Sequence, residues 1–308
     1  MCTTCGCDST EGVTITDVAT GEQRTLTRVG EHASHDHGHG YVAVSAHGYL
    51  HSHDGLPPHT HEHNHNHEHT VSHAPIAPVA QNPSSHGTVI ALERNILAKN
   101  QLFAERNRGW FAGRDIVALN LVSSPGSGKT TLLERTLLDL NEEFSIHVVE
   151  GDQATINDAE RIRATGSPTI QINTGTGCHL DAEMLAQGLQ DLNPPRGAVV
   201  MIENVGNLVC PALFDLGEQA KVVILSVTEG EDKPIKYPHM FRASAIMLLN
   251  KIDLLPYLRF DVARCIAYAR QVNPRIEVIQ LSAETGEGMD AWYDWLRNRI
   301  ARSGTATT

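Results

Sequence analysis

The sequence predicts an α/β fold in which a mostly parallel sheet carries helices on both faces. Three observations predict it. Apolar runs alternate with helix-period segments from Asp115 onward, the pattern of parallel strands joined by helical crossovers. The first run leads into Ser123-Ser124-Pro125-Gly126-Ser127-Gly128-Lys129-Thr130 and then a helical pattern from Thr131 to Leu140. Strand, glycine turn, Gly-Lys-Thr and helix are together the context of a phosphate-binding P-loop. A later run ends in Asn250-Lys251-Ile252-Asp253, at the carboxyl edge of a strand, where ligands bind in such sheets.

The chain of 308 residues is long enough for one large core plus extra segments, or for two small domains. Its formal charge of −12 with histidine neutral argues against a nucleic-acid or anionic-membrane partner on bulk electrostatics. No apolar run is long enough to span a bilayer. Met1-Cys2-Thr3-Thr4-Cys5 lacks the basic and apolar regions of a secretory signal. A cytoplasmic location is expected, where thiols stay reduced. Cys2, Cys5, Cys7, Cys178, Cys210 and Cys265 therefore read as ligands, reactive thiols or core residues rather than a disulfide framework.

Residues 1–30 read as an N-terminal metal-binding segment. Cys2-Thr3-Thr4-Cys5-Gly6-Cys7 puts three thiols within reach of one soft ion, with Gly6 allowing the tight turn. The terminal amine could add a nitrogen. Three sulfurs and an amine suit Ni²⁺ in a tetragonal site or Zn²⁺ in a tetrahedral one. Short alternating patches at Val13, Ile15 and Val18 do not amount to a domain.

Residues 31–86 are a low-complexity tract that holds 15 of the 18 histidines. It runs through His35, His37 and His39 to a dense part at His59, His61, His63, His65, His67 and His69. Alternating histidine builds no apolar face, so disorder without metal is expected. Many weak imidazole sites make a store, and mild acid should empty it because ligation needs the neutral ring.

The globular part is expected over 87–308. Gly87–Gly109 is helical, with Ile90, Ile96, Leu97 and Phe103 on an apolar side. Strands are expected at Ile116–Val122, Ser145–Glu150, Thr169–Ile172, Ala198–Ile202, Lys221–Ser226, Ala245–Leu249 and Ile276–Leu281, and Met289–Ala301 closes the chain as a helix.

The motifs assign chemistry to this frame. Backbone N–H groups around Gly126, Ser127 and Gly128, with Thr131 in the first turn, would cradle phosphates at a helix N-terminus. Lys129 would reach the β- and γ-phosphates, and the Thr130 hydroxyl would ligate Mg²⁺. The first motif glycine is replaced by Ser123. The Asp253 carboxylate would accept from guanine N1–H and its amino group, two donors that adenine lacks at that edge. Asn250 accompanies it, and Lys251 would cover the base face. Ser282 and Ala283 would offer backbone N–H to O6. Asp152 and Glu203 each end a strand where a carboxylate could hold Mg²⁺ or its water. Glu203-Asn204-Val205-Gly206-Asn207 carries no glutamine to orient water, so slow intrinsic hydrolysis is expected, accelerated by a partner or by dimerisation. Cys178, His179 and Cys210 form a second candidate metal set, on two loops leaving the same sheet edge. Cys265 reads as core, and His147 and His239 receive no role.

Terminal Cys-x-x-Cys-Gly-Cys, the His tract, Ser-Ser-Pro-Gly-Ser-Gly-Lys-Thr, Glu-Asn-Val-Gly-Asn-Leu-Val-Cys-Pro and Asn-Lys-x-Asp occur in that order. This combination closely resembles the HypB family, the nickel-inserting GTPases of [NiFe]-hydrogenase maturation. The resemblance implies a P-loop NTPase fold of the SIMIBI class that dimerises with GTP. It implies a tight nickel site at Cys2, Cys5 and Cys7, and a weaker nickel or zinc site at Cys178, His179 and Cys210 near the dimer contact. It further implies GTP and GDP as ligands and transfer of nickel to a HypA-like chaperone and to the hydrogenase large-subunit precursor. Two other functions are open on the residues: a urease-type nickel or zinc-transferring GTPase, and a metal store with a degenerate nucleotide fold.

Overall fold

The computed structural model describes residues 13–25, 84–151, 161–174 and 179–304. The chain divides into two compact units, Met1–Leu26 with Val89–Thr308, and Thr27–Thr88. Of the second unit only residues 84–88 are described.

All seven expected strands occur, each within one residue of its expected bounds. They are β3 (Val117–Ser123), β4 (Ile146–Glu150), β5 (Thr169–Asn173), β6 (Val199–Glu203), β7 (Ala220–Ser226), β8 (Ile246–Asn250) and β9 (Glu277–Gln280). Two more precede them, β1 (Thr14–Asp17) and β2 (Gln23–Thr25). The nine form one sheet in the order β2-β1-β5-β4-β6-β3-β7-β8-β9. Pairing from β5 through β9 is parallel, and the β1–β2 hairpin adds antiparallel to β5. Residues 13–25, which read as no domain in sequence, therefore extend the sheet. Ile15 faces Ile172 across the ladder and is 2% exposed.

Central strands covered on both faces are buried along their length, which is why β3 and β7 read as unbroken apolar runs. Alternate residues feed opposite layers. Val117, Leu119 and Leu121 pack with Leu132, Leu133 and Leu137 of α2 (Lys129–Leu140), and with Trp292 and Leu296 of α9 (Met289–Gly304). The Trp292 indole N–H, buried there, donates to Thr136 Oγ1 at 3.0 Å. Ala118 faces the other layer, with Leu185 and Leu189 of α4 (Ala182–Leu192). The intervening helix α3 is described over 161–164.

Helix α1 (Ser84–Ala112) outruns the expected 87–109 at both ends. Its buried stripe is not the expected apolar one. Ile96 and Leu97 are each 37% exposed, whereas Asn100, Ala104, Asn107 and Phe111 are buried. Those four recur at helical spacing on one face. Asn100 Nδ2 donates to Asp215 O at 2.7 Å, and its Oδ1 accepts from Ala182 N at 2.9 Å. Asn107 Nδ2 donates to Ala182 O and to Leu216 O. The helix thus clamps the start of α4 to the 215–217 turn.

Cys265, on α8 (Val262–Val272), is fully buried, and burial pushes its thiol up to about 12, as a core cysteine requires. Among the described residues no helix is long and apolar enough to cross a membrane.

We expect Ile15→Ala to cost about 2–4 kcal/mol, as for other buried isoleucines. Denaturant unfolding checks it. A change below about 0.5 kcal/mol, the range of surface sites, would separate residues 13–25 from the core.

Candidate functional site

The P-loop leaves β3 at the carboxyl edge and opens α2 at Lys129. Gly126 and Gly128 take φ of 74° and 89°, a region that costs an L side chain about 1 kcal/mol or more. Ser123 needs no glycine. It is the last residue of β3, 1% exposed, and its hydroxyl donates to Ser124 O at 2.9 Å. The loop borders a cleft of ≈ 720 Å³ whose far wall includes Asn250, Lys251, Asp253 and Ala283, a size suited to a nucleotide.

Buried Asn250 joins the two walls. Its Nδ2 donates to Ser127 O at 2.9 Å, and its Oδ1 accepts from Lys251 N and Ala283 N. Lys251 stands in the left-handed region at φ 63°, and its Nζ donates to Gly126 O at 2.7 Å. Such a backbone in a long side chain is held only by its surroundings. Asp253 lines the cleft, and its Oδ1 is buried with no hydrogen-bond partner among the described residues. An unmatched buried carboxylate oxygen is costly, and a guanine edge has the donors that would satisfy it.

The Ser282 N–H donates to Glu287 O at 2.8 Å, and Ser282 is fully buried. The Ser282 N–H therefore closes its own turn. The Ala283 N–H is held by Asn250 at 3.0 Å, so Ala283 supports the cleft wall through Asn250.

At the phosphate end, Lys129 Nζ and Thr130 Oγ1 both donate to Glu203 Oε1, at 2.8 and 2.7 Å. Lys129 is 6% and Glu203 3% exposed. A hydroxyl and a carboxylate side by side form a hard oxygen set suited to Mg²⁺. Asp152 lies outside the described residues. Two cations on the rim stand out only in three dimensions. Lys233 Nζ donates to Ser124 Oγ at 3.3 Å and pairs with Glu229 at the same distance. Arg161 pairs with Glu134 and donates to Thr131 Oγ1 at 3.3 Å.

Of the candidate metal ligands, Cys2, Cys5, Cys7, Cys178 and the histidines of the tract lie outside the described residues. His179 is 8% exposed, and its ring packs on Phe214 with centroids 3.8 Å apart. Phe214 directly follows the short helix α5 (Cys210–Leu213). The His179 loop and the Cys210 loop therefore meet. Among the described residues no three His, Cys, Asp or Glu side chains gather closely enough to hold a metal.

A buried polar chain runs between the two loops and the nucleotide edge. Asn204, next to Glu203, accepts from Leu180 N and donates to Asn120 Oδ1 at 3.2 Å. Asn120 donates to Glu218 Oε1 at 3.2 Å, and Glu218 lies 3.5 Å from Lys221 Nζ. That ammonium donates to Pro211 O at 2.8 Å and Phe214 O at 3.2 Å. Asn120 and Asn204 are fully buried, and Glu218 and Lys221 are nearly so.

A methyl group on Gly128 would stand 2.6 Å from Asn250 Nδ2. We expect Gly128→Ala to weaken GDP binding about tenfold or more through that clash and the positive φ. Titration with a fluorescent GDP analogue checks it, and unchanged affinity would contradict the placement of Asn250.

Residues 117–280 match the family model described as "CobW/HypB/UreG, nucleotide-binding domain". The chain is 61% identical over 215 residues to the hydrogenase maturation factor HypB of Escherichia coli (strain K12), covering 70% of this chain and 74% of that one. The crystal structure of hydrogenase maturation factor HypB from Archaeoglobus fulgidus matches with TM-score 0.63 and 40% identity, over 66% of this chain and 99% of that one. The structure of HypB from Helicobacter pylori in complex with nickel matches with TM-score 0.61 and 35% identity, over 66% and 96%. With a family model matching more than half of the chain and relatives this similar, the chain belongs to the HypB family of hydrogenase maturation factors.

Proposed function

We propose that the chain is a GTP-hydrolysing nickel metallochaperone that stores nickel and delivers it to the [NiFe]-hydrogenase large-subunit precursor. One observation carries the reading. Strand β6 ends in Glu203, which holds both Lys129 and Thr130, and runs on through Asn204 into the loop that bears Cys210. A nucleotide that draws Lys129 away from Glu203 acts on the root of that loop. Nickel bound to the Helicobacter pylori HypB supports nickel as the cargo.

The chemistry follows from the side chains. The unmatched Asp253 oxygen favours guanine over adenine. Lys129 transfers from Glu203 to the phosphates and stabilises the charge on the γ-phosphoryl group as it moves to water. Water attacks phosphorus, the bond to the β–γ bridging oxygen breaks, and GDP and phosphate leave. Mg²⁺ would be held by Thr130, with Glu203 placed to hold its water, and when bound it neutralises phosphate charge. Hydrolysis by one chain is slow, because Asn207 stands where a water-orienting glutamine would be useful.

Val209 and Leu213, 55% and 41% exposed, flank Cys210 and offer an apolar surface on which a second copy closes with GTP. Closure would bring nickel held at Cys178, His179 and Cys210 under nucleotide control. Cys2, Cys5 and Cys7 bind nickel tightly, with zinc as the competitor, and the His tract stores it. A HypA-like chaperone takes nickel onward.

Asp253→Asn should weaken GDP binding about 10²-fold through two lost charge-assisted hydrogen bonds, with ADP binding unchanged. Equal losses for both nucleotides would contradict guanine reading at Asp253. The function itself is tested by nickel titration of metal-free protein with GDP or a GTP analogue. Cys2/Cys5/Cys7→Ala should remove one tight site, deletion of 31–86 several weak ones, and the residual site should change affinity with nucleotide. Zinc preferred at every site, with no nucleotide effect, would overturn nickel delivery.

A further inference from the structure

Strands β7, β8 and β9 run parallel to β3, so their first residues lie at the sheet edge opposite the P-loop. A second cleft, of ≈ 520 Å³, opens there beside Ala220, Ala245 and Glu277. Its charge is unusual for a chain of net −12. Five cations and three carboxylates line it, Arg108, Lys221, Arg242, Arg275 and Arg299 against Asp215, Glu218 and Glu277.

The carboxylates all have partners inside the protein. Asp215 pairs with Arg108 at 2.5 Å. Glu218 accepts from Leu216 N and Asn120, and lies beside Lys221. Glu277 accepts from the Trp295 indole at 3.0 Å. With Arg108 and Lys221 engaged in these contacts, three guanidinium groups remain. Among the described residues no carboxylate lies within ion-pair distance of Arg242, Arg275 or Arg299. They arrive from three separate segments: α7 (Pro238–Ala243), the turn before β9, and α9. Arg299 lies 4.8 Å from the centre of the Trp295 ring, and burial draws its pKa down against the pull of Glu277.

Guanidinium forks match carboxylate and phosphate oxygens in pairs of hydrogen bonds. A cleft of this size exceeds what one inorganic phosphate fills and lies in the range of small-molecule sites. We propose that it binds a small polyanion carrying at least two phosphate or carboxylate groups, at a site separate from the P-loop. Arg242, Arg275 and Arg299 supply the charge, and the Ser244–Ala245 and Ala212–Leu213 segments shape the walls.

The test uses the metal-free full chain loaded with one equivalent of GDP. Pyrophosphate and, separately, citrate are titrated calorimetrically at constant ionic strength, with sodium chloride as the control. One anion is expected to bind per chain. Arg242→Ala/Arg275→Ala should weaken it about tenfold or more, as expected for lost charge-assisted contacts, with GDP affinity unchanged. Arg242→Lys, which keeps the charge but not the fork, should lie between. Tighter binding of pyrophosphate would assign phosphates, and tighter binding of citrate would assign carboxylates. Heats no larger than those of sodium chloride, or equal affinity in the double variant, would overturn the site. GDP affinity reports the P-loop separately, so failure here leaves the nucleotide reading in place.

Discussion

The arrangement depends on one carboxylate oxygen. Glu203 Oε1 accepts from both Lys129 and Thr130 in a pocket nearly closed to solvent. Two charges taken out of water are tolerated only when geometry and further hydrogen bonds compensate. The parallel ladder supplies that geometry. β3 and β6 pair along their length, with Leu121 beside Glu203, so the P-loop and the end of β6 emerge side by side. The P-loop lysine is therefore held in place by the strand end that leads into the candidate metal loop.

From that point the polar interior takes over. Asn204, Asn120, Glu218 and Lys221 form a line of buried hydrogen-bonding groups that ends on the carbonyls of Pro211 and Phe214. Each member left without its neighbour would carry a desolvation penalty, so the set is held as a unit. Helix α1 closes the same region from outside through Asn100 and Asn107. Loops normally shift freely at a sheet edge, but these two are fastened to each other, to α1 and to the strand beneath them.

The legible parts of the sequence were those with one dominant physical signal. Strands buried on both faces read as apolar runs, and the P-loop and Asn-Lys-x-Asp stand next to them in the chain. The β1–β2 hairpin was hidden because its strands are short and only Ile15 is fully covered. The buried face of α1 was misread because it is built on two asparagines, which look like solvent residues until their carbonyl partners are known. The N–H partner of Ser282, Glu287 O, could not be read from the sequence because it is set by the turn and not by residue type. The three arginines of the second cleft come from segments with no common pattern. Cys2, Cys5, Cys7, Cys178, Asp152 and the His tract rest on sequence chemistry alone.

The most direct measurement is the ratio of nickel affinities with a GTP analogue and with GDP, in protein carrying Cys2/Cys5/Cys7→Ala and lacking 31–86, with and without Asn120→Ala. If the buried polar chain links nucleotide to the Cys210 loop, the ratio departs from one by about fivefold or more. It then collapses toward one in the Asn120 variant while GDP still binds. A ratio that survives the loss of Asn120 unchanged would contradict the link.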